Sequence, residues 1–303
     1  MTNVLIVSHH SNNRGDEAAL RGLLTSLKEV MPRSKFAVLA SDPKTTAKVF
    51  EREQITVLGW IYLGLPFRLV LRILPYRALN ILVNIPILVG QGLIWLFEVL
   101  QILLWAVLRR YGKEIRLLVG NEKREILRKF AEADIVLFAP GGPYFGDIYL
   151  YQVPTQILQV LLAKVLRKPV MICAPSIGPF KRTRWICRYI LNKVDVITLR
   201  EEVSGSMLAE LRLSNPLVCI TADCGLLQRP VSAKLVGKLM PKGIDKRRRD
   251  PLVGITVHPA VREYIDYAKY KRTLAQIADY VVSELNAKVV FVPQWYGRFS
   301  DIP

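Results

Sequence analysis

The stretch NVLIVSHHSNNRGDEAALRGLLTSLKEV, residues 3–30, decides the fold. Its opening, NVLIVS at 3–8, is an apolar run with no polar alternation, as in a parallel strand covered on both faces. From Glu17 to Val30, Leu20, Leu23, Leu24 and Leu27 recur on one helical stripe. The residues between, SHHSNNRGDE, crowd small polar groups, a glycine and two acids into one strand-to-helix turn. Backbone N–H groups at such a helix start attract anions. Gly15 permits a tight turn, and Asn12, Asn13 and Asp16 can cap the helix or hydrogen-bond sugar hydroxyls. Capping accounts for one of these groups and leaves the others without a local purpose.

The same alternation continues along the chain. Strands are expected at 35–41, 55–60, 134–139, 169–174, 195–199 and 217–221, with helices at 121–131, 154–166, 183–192 and 202–211. This is the pattern of a doubly wound α/β domain over about 1–227. Residues 228–250 are polar and basic with interspersed proline and glycine, and read as a linker. A strand at 252–257, a helix at 267–285 and a strand at 288–293 open a second unit over 251–303. A single strand–helix–strand cannot cover both faces of a parallel sheet. The second domain is therefore expected to be truncated, with completion by a partner as the other option.

Residues 85–108, IPILVGQGLIWLFEVLQILLWAVL, are long enough to span a bilayer and carry one acid, Glu98. The preceding 61–83 holds Arg68, Arg72 and Arg77 at near-helical spacing. Strands on either side of the insertion, about 61–115, share one sheet and so one side of a membrane, which excludes an odd number of spans. Three arginines are costly in a second span. A monotopic seat in the interface is the economical reading; a buried helical pair or a two-span hairpin are the alternatives. The formal net charge of +18 suits an anionic membrane face or a phosphorylated substrate. KRRR at 246–249 reads as a solvated loop, and no nucleic-acid-binding signature accompanies it. Cys173 and Cys219 lie in apolar strand-like runs, where a reduced, buried thiol is the default. A cytoplasmic, membrane-attached location is expected.

Candidate site residues gather at successive strand ends. FAPGGPYFGD, 138–147, offers Gly141, Gly142 and Asp147. APSIGPF, 174–180, offers Ser176 and Gly178. TLREEVS, 198–204, offers Arg200, and TADCG, 221–225, offers Asp223. In an open α/β sheet those ends line the ligand crevice. His258, closing the strand LVGITV, is a candidate acid or phosphate ligand, with a structural histidine as the plainer reading. The chain has no GxGxxG, HExxH, GxSxG or P-loop and no recognisable metal site.

Taken in order, NNRGDEAAL, ADIVLFAPGG, PVMICAPSIGPF, DVITLREEVSGSMLAEL and ITADCGLL resemble the polysaccharide pyruvyl transferase family from about residue 3 to 227, and more weakly through 252–293. The resemblance implies two Rossmann-like domains in a glycosyltransferase-B-like arrangement. It implies transfer of a pyruvyl group from phosphoenolpyruvate to two sugar hydroxyls, giving a ketal, with no cofactor beyond that donor. The acceptor is expected to be a lipid-linked or polymeric glycan at the inner face of the plasma membrane. On this reading Asp16 and Glu17 contact the acceptor or act as bases, Arg200 binds an anion or anchors the domain, and His258 meets the donor. A nucleotide-sugar glycosyltransferase of the same architecture and a non-catalytic membrane-associated paralogue are the competing readings.

Overall fold

The computed structural model describes residues 1–61, 77–113, 115–142, 145–148, 150, 152–232, 234–236, 251–257 and 266–295, without the side chains of 77–89 and 91. His258, Arg68, Arg72 and the KRRR run lie outside the described residues.

Seven parallel strands form one sheet in the order β3-β2-β1-β4-β5-β6-β7. They are β1 (Asn3–His9), β2 (Lys35–Ala40), β3 (Thr56–Gly59), β4 (Ile135–Phe138), β5 (Val170–Ile172), β6 (Val196–Leu199) and β7 (Leu217–Ile220). The order turns back between β1 and β4, which creates the crevice at their carboxyl ends. Strand β1 is buried on both faces. Val4 and Ile6 join the cluster under helix α1 (Arg14–Val30), while Leu5 and Val7 join the larger cluster on the other face. Each such side chain contributes roughly 1.5–3 kcal/mol by leaving water, which fixes the register of the central strands.

Helix α1 starts where the sequence places its cap. The Asn13 side chain accepts from the backbone N–H of Gly15 at 2.8 Å and of Asp16 at 3.3 Å. Its stripe of Leu20, Leu23 and Leu24 is buried. Gly22 lets α1 lie against the 3-10 turn Cys224–Leu227, since a Cβ there would overlap the Cys224 carbonyl. That contact carries Asp223 back to the start of α1. Helix α2 (Pro43–Val49) follows β2, capped by Asp42.

The apolar insertion differs from its expected division. Helix α3 runs unbroken from Arg77 to Arg110, joining the end of the first segment to the whole of the second. Ile102 and Ala106 on one side are fully buried in the main core. Glu98 pairs with Lys123 at 2.7 Å, and Gln101 accepts from the Leu118 N–H at 3.0 Å. On the other side Leu93, Ile94, Leu96, Phe97, Leu100, Leu104 and Val107 stand 41–61% exposed. The segment Gly92–Arg110, of mean hydropathy 1.7, is long and apolar enough to cross a membrane by length and composition. Helix α4 (Asn121–Glu132) leads into β4, α5 (Val153–Val165) into β5, α6 (Arg184–Leu191) into β6, and α7 (Glu202–Ala209) into β7.

The second unit pairs β8 (Leu252–Val257) with β9 (Lys288–Pro293), parallel, through α8 (Tyr267–Ser283). It meets the first unit directly. The Arg14 N–H donates to the Gln294 carbonyl at 2.9 Å, and Asn13 bridges to Trp295.

One cysteine departs from expectation. Cys173 is buried, but Cys219 is exposed. Strand β7 ends the sheet, and its whole run is open to solvent, so an apolar sequence there does not bury its thiol.

Candidate functional site

The strand ends converge as the parallel order requires. Backbone strain marks several of them: Ser8, Asn12 and Ala174 are non-glycine residues with φ between 42° and 66°. Such conformations persist where surrounding contacts over-determine them. Ser8 Oγ lies 2.6 Å from Gln156 Oε1 and 2.8 Å from Gln159 Oε1, and the Ala174 N–H donates to Thr198 Oγ1 at 2.8 Å.

Asp16, Ser176, Arg200 and Asp223, four of the candidates, come together. Arg200 is the hub. It donates from Nε and Nη2 to Ser176 Oγ at 3.0 and 2.7 Å, and from Nη1 to Asp223 Oδ2 at 2.7 Å. Asp223 Oδ1 accepts from the Gly225 N–H at 2.7 Å, which holds the carboxylate on the turn that packs against α1. Asp16, in the first turn of α1, senses this pair. Burial pushes its carboxyl up to about 7, and the Asp223 and Glu17 charges add to the rise, while Arg200 opposes it. Desolvation outweighs the guanidinium because Arg200 is already matched by Asp223. Asp16 therefore exchanges a proton near neutral pH, as a general acid–base group must.

Glu17 is buried, and burial raises its carboxyl while Arg14, 3.1 Å away, opposes the shift. Its partner Arg14 is the residue whose backbone N–H meets the Gln294 carbonyl of the second unit. Glu201 joins the cluster without having been singled out in the sequence. Its Oε1 accepts from Ser204 Oγ at 2.7 Å, Ser204 Oγ accepts from the Ile177 N–H at 3.0 Å, and bonds from Ser204 and Ser176 hold its carboxylate below the usual range. Its position beside Arg200 at a strand end was the available signal. Gln156 and Gln159, buried on the mostly apolar α5, were also missed; two glutamines three apart on such a helix were the clue.

The remaining candidates are engaged in building the loops. Asn13 caps α1, and Asn12 Nδ2 reaches Asp42 Oδ2 at 3.5 Å. A Cβ on Gly15 would stand 3.2 Å from the capping oxygen of Asn13. Asp147 accepts from the backbone N–H groups of Lys181, Arg182 and Thr183 at 2.7–3.0 Å, and from Thr183 Oγ1 at 2.7 Å, all of which favour its ionised form. Gly141, half-exposed Gly142 and Gly178 belong to two loops laced together. The Ser176 N–H donates to the Gly141 carbonyl at 3.1 Å and the Gly178 N–H to the Phe145 carbonyl at 2.9 Å. Gly178 has φ +87°, and any Cβ on it would meet Met207 Sδ at 2.8 Å.

The two histidines at the end of β1 are neutral. His9 is wholly buried edge-on to Phe50, and desolvation lowers it to about 3. His10 packs edge-on to Trp60 beside Gln152 and falls to about 4, again through burial. Neither carries a positive charge to a phosphate at neutral pH.

Comparisons with known proteins agree with this architecture. AmsJ, an amylovoran biosynthesis protein of Erwinia amylovora, is 25% identical over 229 residues, covering 75% of this chain and 49% of its own length. The chain thus spans about half the length of that curated relative. HepE of Anabaena, solved with UDP-glucose, superposes with a TM-score of 0.50 at 10% identity, covering 96% of this chain and 69% of its own. A putative UDP-N-acetylglucosamine 2-epimerase of Listeria monocytogenes gives a TM-score of 0.49 at 12% identity, covering 96% and 62%. The fold is thus α/β of the glycosyltransferase-B type. The polysaccharide pyruvyl transferase family matches residues 13–301, nearly the whole sequence, from the cap of α1 to beyond β9. The chain belongs to the polysaccharide pyruvyl transferase family.

Proposed function

We propose that the protein moves a pyruvyl group from phosphoenolpyruvate onto two hydroxyls of a sugar in a lipid-linked or cell-surface polysaccharide. The observation that carries this is Asp16, poised near pH 7 beside the Arg200–Asp223 pair, in a chain of this family. Residues 1–227 act as the acceptor domain, and residues 251–303 belong to the donor domain.

The chemistry needs a proton at the enol carbon and a base for two hydroxyls. Asp16 donates its proton to the methylene carbon, which becomes a methyl group. One sugar oxygen attacks the neighbouring carbon, the carbon–oxygen bond to phosphate breaks, and the second sugar oxygen closes the ketal. Of the two hydroxyl protons, one returns to Asp16 and the other leaves with hydrogen phosphate. A carboxyl with a pKa near 7 suits both directions. Arg200 fixes Ser176 and Asp223 and keeps Asp16 from rising further. Glu17, paired with Arg14, is the second acid on the acceptor side. His258 is assigned to the donor side. No cofactor is required.

A seat on the cytoplasmic membrane face is part of the same proposal. The exposed apolar side of α3 supports it, because a helix lying in the interface buries such a face. A lipid-linked acceptor is then delivered along that surface.

The test is incubation of the protein, in membranes or detergent, with phosphoenolpyruvate and a lipid-linked glycan extract. The expected result is phosphate release matched by a pyruvyl ketal on the glycan in mass spectrometry. Sugar transfer from UDP-glucose in place of a ketal would move the assignment to a glycosyltransferase. Glycan binding with neither product would make the protein a non-catalytic paralogue.

A further inference from the structure

A surface cavity of about 340 Å³ lies between the carboxyl-terminal half of α3, the segment after it and α4. Arg109, Arg116, Arg124 and Arg128 line it, Trp105 forms its α3 wall, and Glu132 is the acid in the lining. Arg124 and Arg128 are one turn apart on α4, where like charges repel. Among the described residues, Arg124 bonds only neutral oxygens, of Asn121 and Leu117, both at 3.3 Å. Among the described residues, Arg116 and Arg128 form no ion pair. The cavity extends to Glu132, whose carbonyl meets Asn3 at the amino-terminal edge of the sheet, so it is separate from the candidate site at the carboxyl edge.

What adjoins it identifies the ligand. The same helix that supplies Trp105 and Arg109 presents the exposed apolar stripe of Leu100, Leu104 and Val107. A helix seated in the interface puts its flanks at the depth of lipid phosphates, one helix width of about 10 Å from its apolar face. Guanidinium forks bind phosphate bidentately. We propose that the cavity binds the phosphate headgroup of an anionic membrane lipid, holding α3 in a fixed orientation on the surface. This rests on the membrane seat proposed above and is independent of the pyruvyl chemistry.

The experiment is sedimentation of the full chain with vesicles of phosphatidylcholine alone and of phosphatidylcholine with phosphatidylglycerol. Each arginine near an anionic surface is worth about fivefold in affinity, so Arg124→Gln/Arg128→Gln should weaken binding to the anionic vesicles about 25-fold and leave the neutral ones unchanged. Arg124→Lys/Arg128→Lys should fall between, because the ammonium keeps the charge and loses the fork. The control Lys44→Gln/Lys48→Gln, at exposed positions of α2, should change binding less than about twofold. Equal losses in the control would mean diffuse attraction and overturn the site. Binding of soluble glycerol phosphate as tight as that of the vesicles, by calorimetry, would overturn the lipid assignment in favour of a free phosphate ester. Leu100→Ser/Leu104→Ser should abolish binding to both vesicle types. If it does not, the α3 seat fails while the arginine comparison stands on its own; if the wild type binds neither vesicle, both fail.

Discussion

Asp16→Asn isolates the group on which the proposed chemistry turns. In the fold the Asp16 carboxyl sits at about 7 against an ordinary 3.8. A difference of about 3 pH units corresponds to roughly 4 kcal/mol. The direction follows from proton counts. Below about pH 4 both folded and unfolded chains hold the proton and the group adds nothing. Between about pH 4 and 7 the unfolded chain has released a proton that the fold retains, so stability falls as pH rises. Above about pH 7 the whole penalty is present. Asparagine cannot ionise and escapes it. The variant should therefore gain roughly 2 kcal/mol on the wild type between pH 5 and pH 8, read from urea unfolding at each pH. Activity should move the opposite way, with ketal formation lost at every pH. Parallel stability profiles for the two proteins would refute the reasoning, because Asp16 would then titrate like a solvated carboxylate.

Three further outcomes follow from the same geometry. Arg200→Ala removes the charge that holds Asp16 down, so the Asp16 limb of a pH–rate profile should move to higher pH. The loss of bonds to Ser176 and Asp223 should lower kcat/KM by about 30- to 100-fold. Asp147→Ala strips a cap from three backbone N–H groups and should cost about 1–2 kcal/mol in denaturant unfolding, with KM for phosphoenolpyruvate unchanged. Gly22→Ala drives a methyl into the Cys224 carbonyl and should cost about 1–3 kcal/mol, seen as a lower Tm. Activity should fall too, because Asp223 rides on the displaced turn.

Most of the framework was legible because parallel strands announce themselves. NVLIVS and DIVLFA are short apolar runs without alternation, rich in Val and Ile, which is how a strand covered on both faces reads. Once the strands are parallel, their carboxyl ends must share an edge, so loops more than two hundred residues apart, at Asp16 and Asp223, are brought together by topology. Burial at the sheet's margin was not legible. Leu217–Ile220 is as apolar as the inner strands, yet it is the last strand, and Cys219 is exposed there. Nor was the continuity of α3 legible, because Pro86 inside Arg77–Arg110 favours a helix boundary just before it.

The roles of individual acids needed the third dimension. Asp16 and Asp147 read alike in the sequence, each shortly after a strand and beside a glycine. Asp147 finds three backbone N–H groups and a hydroxyl, which hold it ionised and spend it on the fold. Asp16 is desolvated beside an arginine already claimed by Asp223, and is left near neutrality. Residue type and sequence setting are alike; the supply of donors is not. A carboxylate fully supplied with donors stabilises structure, while one denied them retains a proton it can give away. On the proposed mechanism the acid that does the chemistry is the one the fold leaves under-supplied among the described residues, and that shortage appears only when Arg200, Asp223 and α1 are in place together.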